Sequence, residues 1–358
     1  MPSLKEIKGR INSISSTLAI TSAMKMVAAA KLQKAQMAIQ NMLPYERRLY
    51  SMLVDLMGAM NISAAASEDD SVRGSGSAER GFDQSGDRLS LSNRHDLAGM
   101  DGAYSLMAQR EVRKVAIVAF ASNSSLCGAF NSNVIREATA VINEYRASGL
   151  RDSDIVVYSV GRKMAEAMRK LGFPSPADFT KMSDSPSYEA ASALAQELLD
   201  GFVSGRFDKV ELVYNHYKST SSQPTTRQTY LPLSLADATA DIQVGKITDS
   251  ASESDTNRGA EPVGAPVVRQ GSPTTEDLIV EPSKEALIAT LLPKVIRLRI
   301  FTTLLDSAAA EHAARTVAMQ LATDNGNDLL QELTLEYNKG RQQKITSEIL
   351  DLVGGSMQ

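Results

Sequence analysis

Apolar positions return along the start of the chain in alternating steps of three and four. Leu4, Ile7, Ile11, Ile14, Leu18, Thr21, Lys25, Ala28, Leu32, Ala35, Ile39 and Met42 hold this spacing without a break. Such a heptad seam predicts a helix that supercoils left-handedly around a partner. The helix is expected from Ser3, a capping residue, to Leu43. Pro44 should kink it, and the spacing resumes at Leu49, Leu53 and Leu56 toward about Met60. A second periodic stretch lies at the other end, from Pro293 to Val353. It carries Leu298, Leu305, Met319, Leu329, Leu333, Ile345, Ile349 and Leu352, and Gly354-Gly355 should stop it. About sixty residues of helix span roughly 90 Å, and propensity alone leaves such a helix marginal. Each terminal helix therefore needs the other, which predicts an antiparallel coiled coil with the middle of the chain as its head.

That middle changes period. Lys114–Ala121 and Asp154–Val160 are near-continuous β-branched runs, as in strands buried on both faces. A helix to about Ala147, a short one over Gly161–Leu171 and an amphipathic one over Ser187–Val203 fall between strands. Lys209–Tyr214 and Arg227–Leu233 read as a hairpin or edge pair. The order implies a small Rossmann-like α/β domain with a mainly parallel sheet. Two stretches, 63–103 and 248–276, are rich in Ser, Gly and acid, and their composition predicts disorder. Glu281-Pro282-Ser283 is placed to cap the return into helix. The chain divides into an N-terminal coiled-coil helix (1–60), a low-complexity insert (61–110), the α/β domain (111–247), a second insert (248–280) and a C-terminal coiled-coil helix (281–358).

Net charge is −4, but it is unevenly spread. Residues 1–48 carry eight Lys and Arg against Glu6 and Glu46, a net +6 that wants an acidic partner. Lys25 sits in the seam itself. Either its stem covers the seam while the ammonium reaches water, or it faces an acidic partner. A single cysteine, Cys127, excludes an internal disulfide and a dithiol switch. No uncharged apolar run is long enough to span a bilayer, and the seam's start at Leu4 is expected to leave no room for a targeting segment.

Catalytic chemistry finds little to work with. The loop Ser122–Ala129 follows the first strand, where an α/β domain would hold phosphate, but it has neither a G-x-G-x-x-G nor a P-loop lysine pattern. Its hydroxyls and Asn123 are expected to cap the next helix. Cys127 lies near that helix start but lacks a base, since His95, His216 and His312 are scattered, so a buried structural thiol is expected. The same residues supply no metal-site spacing. The pair Asp324/Asp328 reads as a solvated helix face. No cofactor is expected.

Both ends of the chain resemble the gamma subunit of the F-type ATP synthase. LKEIKGRINSISSTLAITSAMKMVAAAKLQKAQ (Leu4–Gln36) resembles that family's opening helix. AEHAARTVAMQLATDNGNDLLQELTLEYNKGRQQKITSEILDLVGG (Ala310–Gly355) resembles its closing helix. SSLCGAFN (Ser124–Asn131) and VEPSKEALIATLLP (Val280–Pro293) extend the match. The resemblance implies a central rotor shaft that couples transmembrane ion flow to nucleotide chemistry in a ring of alpha and beta subunits, and does no bond chemistry itself. It implies contacts with epsilon and the membrane c-ring, no nucleic acid, and a peripheral place on the cytoplasmic side of a bacterial inner membrane. By position, Met24, Lys25, Arg341, Gln342 and Thr346 resemble residues that meet the beta subunits' loops. Leu352 and Val353 resemble the tip held in the ring's apolar collar. Asn123-Ser124-Ser125 departs from the family's charged D-R-G-L-C-G-like loop. The inserts are longer than in typical bacterial members, and the chloroplast form's regulatory cysteine pair is missing. From the residues alone, two other classes stay open: a coiled-coil scaffold or adaptor, and a small α/β enzyme with helical oligomerisation arms. The enzyme would need a polar catalytic cluster in the head.

Overall fold

The computed structural model describes residues 3–71, 106–107, 109–233, 281 and 283–356. Two helices set its form. Helix α1 (Leu4–Ser71) has 68 residues, and α6 (Lys284–Ser356) has 73, about 100 and 110 Å of helix. They pair antiparallel. Leu4 faces Gly340, Leu18 faces Gly326, and Thr323 Oγ1 donates to Thr21 Oγ1 across 3.1 Å. Every α1 seam position from Leu4 to Met42 is buried or half-buried, and Leu49, Leu53 and Leu56 follow, so the heptad reading of α1 holds.

Helix α1 runs on through Pro44, as expected, and α6 through Pro293, which lies ten residues into the helix rather than at its start. Each removes one ladder bond, but packing on both sides of it, at Met42 and Leu49 or at Leu292 and Val295, outweighs one missing hydrogen bond. Helix α1 continues past Met60 through the helix-forming Ala64-Ala65-Ala66 to Ser71, into the first residues of the expected insert. Helix α6 runs through Gly354-Gly355. Ser283 caps it as expected, its Oγ accepting from Ala286 N at 3.2 Å. The rest of the first insert, His95 and all of the second insert lie outside the described residues.

On α6 the seam differs from the one read in sequence. Leu298, Leu305, Met319 and Leu333 are buried, but Leu329 is exposed. The inward row is Met319, Thr323, Gly326, Leu330, Leu333, Tyr337 and Gly340, which keeps a strict four-three spacing. Glycine at two of these places hid the row. An added Cβ would lie 2.6 Å from Leu18 Cδ2 at Gly326 and 3.1 Å from Leu4 Cδ2 at Gly340. Each leucine is a knob whose hole is the absent side chain.

The head is a four-stranded sheet in the order β2-β1-β3-β4. Strand β1 (Val115–Phe120) pairs parallel with β2 (Ile155–Val160) and with β3 (Lys209–Asn215), and β4 (Thr225–Leu231) closes one edge antiparallel. This is the expected mainly parallel sheet with its hairpin. Helices α2 (Phe130–Ala147) and α3 (Arg162–Lys170) cover one face, where Val115, Ile117 and Ala119 point. The alternate residues Ala116, Val118 and Phe120 face α5 (Tyr188–Val203) and the lower part of α6, with Ile288, Leu292, Ile296 and Ile300. A short helix, α4 (Thr180–Asp184), and a 3-10 turn at Asp152–Asp154 were not legible as separate elements. Gly161 must be glycine. Its φ is +97°, and a Cβ there would sit 2.0 Å from the Ala121 carbonyl oxygen.

Candidate functional site

The rod outgrows its own partner. Helix α1 begins opposite Gly340, and every residue of α6 with a described side chain from Arg341 onward is exposed. About 24 Å of single helix projects there. It carries Arg341, Gln342 and Thr346, and then an apolar end in which Ile349, Leu352 and Val353 are 54%, 75% and 53% exposed. Thr346 Oγ1 donates to the Gln342 carbonyl one turn back, at 2.9 Å.

Met24 and Lys25 are elsewhere. Lys25 Nζ donates to Gln320 Oε1 across the seam at 2.8 Å. Gln320 and Arg341 are 21 positions apart on α6, roughly 30 Å along the rod. The structure therefore sets these residues at two separate places along the rod, Met24 and Lys25 lower down and Arg341, Gln342 and Thr346 toward the exposed end of α6. Lys25 is half-buried with its ammonium on a cross-helix partner, which adds a third use to the two left open by the sequence.

The opening at the C-terminal ends of β1 and β3, where doubly wound sheets bind ligands, is filled by α6. Tyr217 N donates to Asp306 Oδ1 at 2.9 Å, and His216 Nδ1 shares a hydrogen bond with Asp306 Oδ2 at 2.6 Å. Cys127 and Phe130 pack on Ala310. Arg315 Nη2 donates to Ser124 Oγ at 2.7 Å, and its Nη1 donates to Glu311 Oε1 at 2.7 Å. A cavity between Phe120, Ala121, Val160, Ser183, Ser307 and Glu311 holds about 10 Å³, room for one water. Drug-sized ligands need pockets of about 300–1,000 Å³.

The loop after β1 corrects one expectation. Its side chains do not cap α2, whose first turn has no side-chain cap. Instead Asn123 Oδ1 accepts from Arg162 N at the start of α3, and its Nδ2 donates to the Thr180 carbonyl. Asn131 turns back to hold Ser122, its Oδ1 accepting from Ser122 N at 3.0 Å. Cys127 is 1% exposed. Burial pushes its thiol up, against help from the Ser122 hydroxyl and Arg315, so the protonated structural thiol expected from sequence is what the site favours.

Three charged residues at this junction escaped the sequence reading: Asp306, Glu311 and Arg315. The available signal was the i,i+4 pair Glu311/Arg315 inside an alanine-rich run, where a solvated face would be the default. Both side chains are instead buried. Burial raises the Glu311 carboxyl despite Arg315 beside it. His312, between them, is pushed down to about 4, by burial first and then by Arg315 and Lys31. Among the described residues, no group of acidic, His or Cys side chains is arranged to hold a metal, and no helix is long and apolar enough to cross a membrane.

Comparison with known proteins gives one answer along the whole length. A family model described as ATP synthase matches residues 3–357. An ATP synthase gamma chain of Phocaeicola vulgatus is 47% identical over 357 residues, covering 100% of both chains. One from Bacteroides thetaiotaomicron is 45% identical over 358 residues, again covering 100% of both. A chain in the cryo-EM structure of Euglena gracilis mitochondrial ATP synthase (OSCP/F1/c-ring, rotational state 3) shares the fold. Its TM-score is 0.54 at 19% identity, over 99% of this chain and 93% of that one.

Proposed function

The chain belongs to the ATP synthase gamma-chain family, and from that premise we propose that it is the rotating shaft of the central stalk. The observation that carries the reading is the bare end of α6. A helix of this length without a partner is marginal in water, and among the described residues its apolar end stays exposed at Ile349, Leu352 and Val353. A ring of alpha and beta subunits closing around the tip supplies that cover, with Leu352 and Val353 in an apolar collar. Arg341, Gln342 and Thr346 lie just below, where loops of beta pass as the shaft turns, and Met24 with Lys25 forms a lower station.

The head and the lower rod meet the epsilon subunit and the c-ring, so that ion flow, protons in this reading, turns the shaft and drives ATP synthesis or is driven by hydrolysis. The complex sits on a bacterial inner membrane, and this chain lies peripherally on its cytoplasmic side. Chemistry stays with beta. The crevice that would hold a nucleotide in the head is occupied by α6.

Reconstitution tests this directly. The purified chain is mixed with alpha and beta subunits, and assembly and ATP hydrolysis are measured. A stoichiometric complex whose steady hydrolysis depends on this chain is expected. Self-association of the chain with no effect on alpha and beta would overturn the rotor reading in favour of the scaffold.

A further inference from the structure

Where α6 leaves the head it is enclosed. Between Thr303 and Glu311 every residue is buried except Asp306, which is half-buried. Two loops of the head close on it there. The loop after β3 reaches Asp306 through Tyr217 N and His216 Nδ1, and the loop after β1 reaches Arg315 through Ser124 Oγ. Asp306 and Arg315 are nine positions apart, about two and a half turns, so they point about 180° apart around the helix. The grip is therefore on opposite sides.

Both jaws are anchored in the head. Ser122 is tied to Asn131, Asn123 bridges α3 and α4, and Asn215 Nδ2 donates to the Phe130 carbonyl at 3.0 Å. Arg315 is held in turn by Glu311. Resting on the rotor reading above, we propose that Asp306 and Arg315 form a two-sided clasp that fixes the angle of α6 as it leaves the head, so that the rod begins to twist above Arg315 rather than inside the head. A contact on one side would act as a hinge and leave the helix free to turn about its axis. Contacts on opposite sides cannot both survive a turn of one residue, which rotates the helix by about 100°. Below the clasp α6 belongs to the head's core through Leu304. Above it, the seam with α1 resists twist.

The clasp has a measurable consequence. With the ring end of the free rod taken at Arg341, loss of the clasp moves the other end from Arg315 down to Ala310, where Cys127 and Phe130 still pack. The free length grows from roughly 26 to roughly 31 residues, and torsional compliance in proportion to length rises about 1.2-fold. The variant is Ser124→Ala with Asp306→Ala, which leaves the Glu311–Arg315 pair intact.

Complexes of this chain with alpha and beta subunits are fixed by the ring, and a bead on the head reports the angle during pauses between steps. The variant is expected to widen the angular variance about 1.2-fold at an unchanged rate of hydrolysis. A second arm reverses the effect. A Cβ at Gly128 would lie 3.8 Å from Ala318 Cβ, within the range a disulfide spans. Gly128→Cys with Ala318→Cys, in a Cys127→Ala background, should restore the narrow distribution on oxidation and lose it on reduction. Variance equal to wild type in the open variant, or no narrowing when the disulfide closes, overturns the clasp. Should Ser124→Ala/Asp306→Ala fail to assemble, the oxidised and reduced cysteine pair with Asp306→Ala alone decides by the same criterion. A wild-type chain that forms no turning complex instead refutes the rotor reading, a distinct failure.

Discussion

His312 should make the junction between head and rod sensitive to acid. Its imidazole is pushed down to about 4, from an ordinary value near 6.5, by burial first and then by Arg315 and Lys31. The folded chain therefore refuses a proton that the unfolded chain accepts. Above pH 6.5 both states are neutral at this site and it contributes nothing. As pH falls from 6.5 the unfolded state gains a proton and stability drops, until about pH 4, where the loss levels off. At pH 5 the difference of 1.5 units is worth about 2 kcal/mol, and partial exposure of the ring reduces this to about 1–2 kcal/mol.

Glu311 works the other way. Its carboxyl is raised by burial, so it favours the fold at low pH and weakens it as pH rises through its folded value. The measurement is thus a difference. Urea unfolding of wild type and His312→Gln is followed by circular dichroism at pH 7.5 and pH 5.0. The variant should lose about 1–2 kcal/mol less than wild type between the two. If both lose the same amount, His312 is not held neutral and its surroundings are wetter than the structure shows.

Gly326→Ala should lower stability by about 1–3 kcal/mol from overpacking against Leu18, against a propensity gain of about 1 kcal/mol. In a Leu18→Ala background the same change should instead stabilise, and thermal unfolding of the four variants checks the change of sign. Glu211 is buried beneath Arg227, Lys209 and Tyr145. Burial alone would raise its carboxyl, but hydrogen bonds from these three hold it lowered, so its contribution is present above the ordinary glutamate value and lost as pH falls through the folded one. Glu211→Ala should cost about 1–3 kcal/mol at neutral pH by taking the carboxylate from Lys209 and Tyr145, while Arg227 keeps Glu144, with the gap from wild type closing in acid unfolding curves. Lys25→Ala should be mild, since exposed charge contacts are worth about 0.2–1 kcal/mol. Lys25→Glu with Arg341→Glu should lower ATP-driven pumping per ATP hydrolysed in reconstituted vesicles. Added salt should narrow the loss, and wild-type pumping at low salt would remove both cations from the interface.

The sequence disclosed what repeats and concealed what is small. The seam of α1 was legible to the residue because Leu, Ile, Ala and Met hold ten of its twelve places at a strict alternation of three and four. Its partner row on α6 was not, because Thr323, Gly326 and Gly340 carry no apolar signal and the nearby Leu329 does. All four strands were visible in their β-branched runs and turn residues. The short helix α4 was not, since five residues give no period to read. The junction was the hardest part. Residues that serve it, Asp306 and Arg315 above all, act by meeting loops far away in the chain, and nothing local distinguishes them from a solvated helix face.

That difference follows from how the rod is packed along its length. Low on the rod, α6 meets α1 and the sheet together: Leu292 and Ile296 are buried against the head, Val295 and Leu298 against Leu49 and Tyr50 of α1. Higher up it has only α1, and the seam changes to Thr21 on Thr323, Lys25 on Gln320 and leucines seated on glycines. At the tip its described side chains are exposed. Each apolar side chain left bare there forgoes about 1.5–3 kcal/mol that burial would supply. A chain under selection for its own stability alone would have polar residues at Ile349, Leu352 and Val353. Their exposure at a helix end makes the tip's order depend on what surrounds it, and so ties the end of the rod to its place in a larger assembly.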